Sequence, residues 1–282
     1  MGLILEERVK SHKLVITPKK GFFQLDLAVL WQYRELLYFL VWRDVLLRYK
    51  QTVIGLAWVL LQPMITMIIF TVIFGNLAKF PSDGIPYPVF AFCALLPWTY
   101  FSQALARSSS SVVQSSNMVS KIYFPRLLIP LAASVAPIVD LFISFLLLLI
   151  MMAWYKIAPT MGLLAMPLFL ALAIMTALSV GLWASALNVR YRDVANIIPF
   201  LSQVWMYASP VAYPVSMVPE KWRLLYSLNP MVGVIEGFRW ALLGKGNPDF
   251  KMMAVSAAVV LVLFAGGIIY FKRMELTFAD VI

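Results

Sequence analysis

From Arg43 to Pro63 the chain reads RDVLLRYKQTVIGLAWVLLQP. As far as Lys50–Gln51 it carries a charge every few residues, too many to sit in hydrocarbon. Beyond that point runs an apolar stretch able to enter a bilayer. The junction ties a surface segment to a membrane-crossing one. Upstream, Trp31, Tyr38, Trp42, Val45 and Tyr49 recur at helical spacing and stack into one stripe. Gln32, Arg43, Asp44, Arg48 and Lys50 lie off that stripe. The pattern predicts an amphipathic interface helix over residues 27–52, lying in the headgroup plane. Asp44 precedes Arg48 by four positions, the favourable order for an intrahelical pair.

The totals agree with a membrane setting. Of 282 residues 62% are hydrophobic and only 13% charged, with mean hydropathy +0.85. A soluble domain is nearer half apolar. The net charge of +10 sits mostly between apolar runs, so it orients the chain in a membrane and gives no reason to invoke nucleic acid. The basic, polar residues 1–26 lack the apolar core of a cleaved signal peptide, so a cytoplasmic tail is expected there.

At about 20 apolar residues per crossing, six spans are expected, near 53–75, 87–107, 127–155, 162–188, 197–217 and 252–271. Lys and Arg then crowd one side: Arg43, Arg48, Lys50, Arg107, Lys121, Arg126, Arg190, Arg192, Lys272 and Arg273 outweigh Lys79, Lys156, Lys221, Arg223, Arg239, Lys245 and Lys251. That imbalance puts both termini in the cytoplasm. Residues 107–126, RSSSSVVQSSNMVSKIYFPR, form a polar connection that predicts a short docking helix ending before Pro125. Residues 218–246 predict an outer helical hairpin, with Asn229 as N-cap, Pro230 at the first helical position and Gly244 or Gly246 at the close. Glu236 and Arg239 can pair within it. The fold class expected is an all-α polytopic membrane protein: six transmembrane helices forming one domain over 53–282, an N-terminal amphipathic interface helix and outer re-entrant or gate helices.

Catalytic chemistry is scarce. No G-x-x-x-x-G-K-[ST] phosphate loop occurs, and one His12 and one Cys93 leave no metal cluster or disulfide. Asp140 and Glu236 are the main acids within or near the spans, fewer than an ion-driven carrier normally uses. Aromatics, in contrast, make up 14% of the chain and gather toward the span ends. They form either an interfacial belt or a path whose ring faces let sugars slide.

The chain resembles the membrane subunits of ABC type-2 exporters, in particular the branch that moves O-antigen, capsule or teichoic-acid polymers. The residues carrying the likeness are Arg43-Asp44, Arg48-Tyr49-Lys50-Gln51, Gly55, Trp58 and Gln62-Pro63. Downstream it continues through Leu96-Pro97-Trp98, Tyr100-Phe101 and Lys121–Arg126, then Asn188–Asp193, Tyr207–Pro210, Asn229-Pro230 and Phe238-Arg239. The resemblance implies a homodimer bound to two copies of a separate ABC ATPase subunit, which holds ATP and Mg; this chain itself needs no cofactor. It implies an ATPase interface of Arg43, Asp44, Arg48, Tyr49, Lys50, Gln51, Ser115, Asn117 and Lys121. Substrate-path candidates are Gln62, Trp98, Tyr100, Phe101, Trp205 and Tyr207, and outer-gate candidates are Asn229, Glu236, Phe238, Arg239 and Trp240. The implied cargo is a polysaccharide on a polyprenyl diphosphate lipid, moved out across a bacterial inner membrane. An ion-gradient carrier and a membrane-embedded enzyme acting on lipid-linked sugar are the alternatives, each needing acids that the sequence offers only singly.

Overall fold

The computed structural model describes residues 27–50, 55–244 and 249–278. Gln51, the tail over 1–26 and the junction at 51–54 lie outside them. Among the described residues the chain is helices joined by short connections, with no strand. Five stretches are long and apolar enough to cross a membrane: Ala57–Leu77, Tyr87–Gln114, Leu128–Trp154, Met161–Arg190 and Phe250–Glu275.

The expected interface helix is in two pieces, α1 (Leu27–Gln32) and α2 (Arg34–Tyr49), broken at Tyr33. Its buried face is Leu40 with Leu36, Leu37 and Val41, packed with the residues of one end of the bundle. Trp31, Tyr38 and Trp42 are at least half exposed. Trp31, Tyr38 and Trp42 therefore face away from the bundle, whereas Tyr49, at the end of the same stripe, turns inward to Asp140. Helix α3 (Gly55–Phe70) continues into a π-helical turn, Thr71–Leu77.

Helix α4 (Tyr87–Gln114) is the central post and is longer than the span expected at 87–107. Its serines are not a loop: Ser108, Ser109 and Ser111 are buried. The hydroxyls of Ser109 and Ser111 donate to carbonyls three residues back, at 2.8 Å in each case, so no polar atom of theirs needs water. Small residues let helices approach closely inside a membrane. At Gly181 of α8 (Met166–Arg190) any Cβ would stand 2.6 Å from Ser108 Oγ. The docking helix of the sequence reading is reduced to α5 (Ser116–Lys121), ending before Pro125 as expected.

The third span divides at Pro137 into α6 (Leu128–Val135) and α7 (Ile138–Trp154). The expected fifth span at 197–217 is the largest departure. Helix α9 (Val194–Tyr207) stops after 14 residues, about 21 Å at 1.5 Å per residue, and turns follow it through Pro210. Two helices stand where the hairpin was expected, α10 (Glu220–Tyr226) and α11 (Pro230–Leu243), with Gly244 closing α11 at φ 61°. Far from lying on the surface, α11 is buried on nearly every side. Helix α12 (Phe250–Glu275) packs along α8 and completes the bundle.

Candidate functional site

Two polar constellations mark opposite ends of the bundle. At the basic end, α2 meets α4 and α7. Arg48 Nη2 lies 2.6 Å from Asp140 Oδ2, and Arg48 Nη1 donates to Gln103 Oε1 at 2.9 Å. The Tyr49 hydroxyl donates to the other Asp140 oxygen. Asp140 stands in the first turn of α7, where the helix dipole also favours a carboxylate. Burial first, and then the bond to Asp140, push the Tyr49 phenol up to about 12. It therefore stays a donor at physiological pH. Asp44 does not pair with Arg48 as the spacing predicted. It takes Arg43 Nε and Nη2 at 3.0 and 2.8 Å, because Arg48 is drawn inward by a buried carboxylate.

At the hairpin end Asn229 is a four-way node. Its Oδ1 accepts from Met231 N at 3.0 Å, capping α11, and from Trp205 Nε1 at 2.8 Å. Its Nδ2 donates to Ala208 O and Ser209 Oγ at 3.1 and 2.9 Å. One side chain therefore starts α11 and holds the end of α9. Arg239 pairs with Glu236 at 3.2 Å, as expected. It also donates to the carbonyls of Tyr213 and Val211, and its guanidinium lies over the Phe90 ring at 3.7 Å. Loss of water pushes the Glu236 carboxyl up, against the pull of Arg239. Nearby, an apolar cavity of about 400 Å³ is lined by Phe70, Phe74, Phe80, Tyr207 and Tyr213 among others.

Residues 35–243 match the family of ABC-2 type transporters. The chain belongs to that family. Among its relatives in it are an O-antigen export system permease of Myxococcus xanthus, 30% identical over 87% of this chain and 95% of the relative, and one of Klebsiella pneumoniae, 23% identical over 88% and 95%. A polysialic acid transport protein of Escherichia coli is 22% identical over 83% and 91%.

Within this ABC-2 membrane protein the expected site residues separate into groups. Lys50, Asn117 and Lys121 are exposed and Ser115 is half-buried, all at the basic end. Arg48 and Tyr49 instead face the bundle. The path candidates also divide. Trp98, Tyr100 and Phe101 are buried, with the Tyr100 hydroxyl on Ser134 O at 3.0 Å and Phe101 edge-on to Trp205 at 5.1 Å. All three sit in the core of this chain's own bundle. Gln62 and Tyr207 do lie on the surface. Of the gate candidates, Phe238 is fully buried and Trp240 packs edge-on to Phe169 and Phe250. Gln103 and Asn188 were missed. Asn188 donates to Ser109 O at 3.0 Å and accepts from Ala195 N at 3.2 Å, tying the start of α9 to α4 and α8. A buried amide next to a turn was the available signal.

Proposed function

We propose that this chain is the channel-forming subunit of an ATP-driven exporter that moves lipid-linked polysaccharide, O-antigen foremost, across a bacterial inner membrane. The observation carrying this reading is the near-full-length likeness to export permeases for O-antigen and polysialic acid. The basic end, with Lys50, α5 and the exposed Ile122 and Tyr123, is the docking surface for an ABC ATPase subunit, two copies of which join the homodimer, and faces the cytoplasm with both termini. The apolar faces of α3 and α9, exposing Leu61, Ile65, Ile68, Phe200 and Val204, meet a second copy of the chain and border the path. Helix α9 and the turns after it make the sixth crossing. The cargo is carried on a polyprenyl diphosphate. Against an ion-driven carrier stands the pairing of its two candidate acids: Asp140 is held by Arg48 and Glu236 by Arg239.

The deciding experiment is genetic and chemical together. Cells lacking the gene are expected to accumulate lipid-linked glycan on the cytoplasmic side, and export is expected to stop on ATP depletion at constant ion gradient. Export that follows the gradient and ignores ATP would sink the proposal.

A further inference from the structure

Among the described residues, the guanidinium of Arg107 stands in the basic-end cluster without a carboxylate of its own. Arg43 is paired with Asp44 and Arg48 with Asp140. Arg107, one turn beyond Gln103 on α4, is half-buried and within electrostatic range of Arg48, Asp140, Asp44 and Tyr49. Its guanidinium donates no hydrogen bond to any of the described residues. A partly buried guanidinium with its carboxylates already taken is costly in a membrane protein unless an anion joins it. The sequence adds a direction. Gln103, Arg107, Ser110 and Gln114 follow one another at spacings of four, three and four, one polar stripe on an apolar helix. It runs from the Arg48–Asp140 pair to the exposed amide of Gln114, with Gln114 Nε2 donating to Ser110 Oγ at 3.2 Å. Beside the charges stand exposed apolar groups: Leu47 next to Arg48, and Val139 and Phe142 flanking Asp140.

We infer that Arg107 binds the phosphate of a lipid headgroup, entering along the α4 stripe, while the apolar neighbours receive the chain. Guanidinium groups suit phosphate because their fork makes two charge-assisted bonds to it. Arg48 supplies further positive potential but stays on Asp140. The inference needs the chain to be membrane-embedded and does not depend on which polymer is carried. The phosphate has two possible sources, an acidic phospholipid or the diphosphate of a lipid-linked glycan.

The test uses the full chain in phosphatidylcholine nanodiscs, with retained lipid read by native mass spectrometry. Probes are farnesyl diphosphate, phosphatidylglycerol and phosphate-free farnesol. Retention of the phosphate-bearing probes over farnesol is expected, weakening as salt is raised to about 0.5 M. Arg107→Gln should lower retention about tenfold, ~1.4 kcal/mol, and Arg107→Lys should recover much of it. Preference for the diphosphate would identify the glycan carrier, and equal retention an acidic phospholipid. Farnesol held as well as farnesyl diphosphate, or salt-independent retention by the unaltered chain, would overturn the inference whether or not Arg107→Gln folds. So would Arg107→Gln binding like the parent, and displacement of both probes by millimolar inorganic phosphate would overturn the assignment to lipid.

Discussion

Asp140 is the residue on which the basic end turns. It is 4% exposed, yet its charge is matched by Arg48 and its second oxygen by Tyr49. Removing one member of such a pair strands the other. Asp140→Asn should therefore lower stability by about 2–4 kcal/mol, somewhat under the usual range of about 3–5 for a buried pair because Arg48 keeps some contact with water. Replacing both, as Arg48→Met with Asp140→Leu, should restore most of that loss. Thermal unfolding of the solubilised protein measures both, and a double variant as unstable as Asp140→Asn would refute the pairing. Tyr49 adds a pH dependence. The folded chain holds its phenolic proton to about 12, against 10 for an unperturbed tyrosine, so folding binds that proton more tightly. This contribution is complete below pH 10 and is lost as pH rises toward 12. Tyr49→Phe should flatten the alkaline limb of the stability curve relative to the parent chain. An unchanged slope would show that other groups set it.

At the scale of elements, α9 is thinly supported for a helix of 14 residues. Only Ile198 and Ser202 of its side chains are buried, and it is anchored by an asparagine at each end, Asn188 and Asn229. Asn229→Ala removes a helix cap, worth about 1 kcal/mol, and also frees Trp205 and the carbonyl of Ala208. The expected result is a lower unfolding temperature with faster proteolysis within residues 208–219. Asn229→Asp keeps the acceptor for Met231 and Trp205 but loses both Nδ2 bonds, so its effect should be intermediate. An Asn229→Asp variant as stable as the parent would mean that the Nδ2 bonds to the end of α9 carry nothing. The hairpin was legible because its signals are local: Asn before Pro starts a helix, and Gly244 alone accepts φ 61° without strain. The run Ser108–Ser111 misled for the opposite reason. Serine is common in loops, and only the approach of Gly181 from a helix some seventy residues on shows why small side chains are needed there. Arg48 was legible as a surface charge and not as an inward one, since its partner lies 92 positions away. Aromatics at span ends likewise read as path or belt, and packing alone sends Trp98, Tyr100 and Phe101 into the core.

The whole molecule presents two surfaces that a membrane does not explain equally. The basic end exposes Lys50 and Lys121 with Asn117 and Tyr123, beyond the apolar spans. If an ATPase docks there, Lys50→Glu with Lys121→Glu should abolish its co-purification while the chain still inserts in the membrane, and unchanged recovery would place docking elsewhere. The apolar faces of α3 and α9 could be met by lipid or by a second copy, and disulfide chemistry separates the two. The free Cys93 is buried, so a cysteine placed at Leu61, Ile65, Ile68, Phe200 or Val204 is the reactive one. In a two-fold dimer a residue near the axis meets its own counterpart, and oxidation joins the two only if their Cα atoms come within about 7 Å. A residue facing lipid has no such counterpart at fixed distance. Copper-catalysed oxidation in native membranes should thus yield a covalent dimer at one or two neighbouring positions and little at the others, with the pattern shifting when the ATPase is bound. Uniform weak cross-linking at all five would indicate random collision, and intact thiols at every position would assign both faces to lipid and remove the dimer on which the proposed path depends.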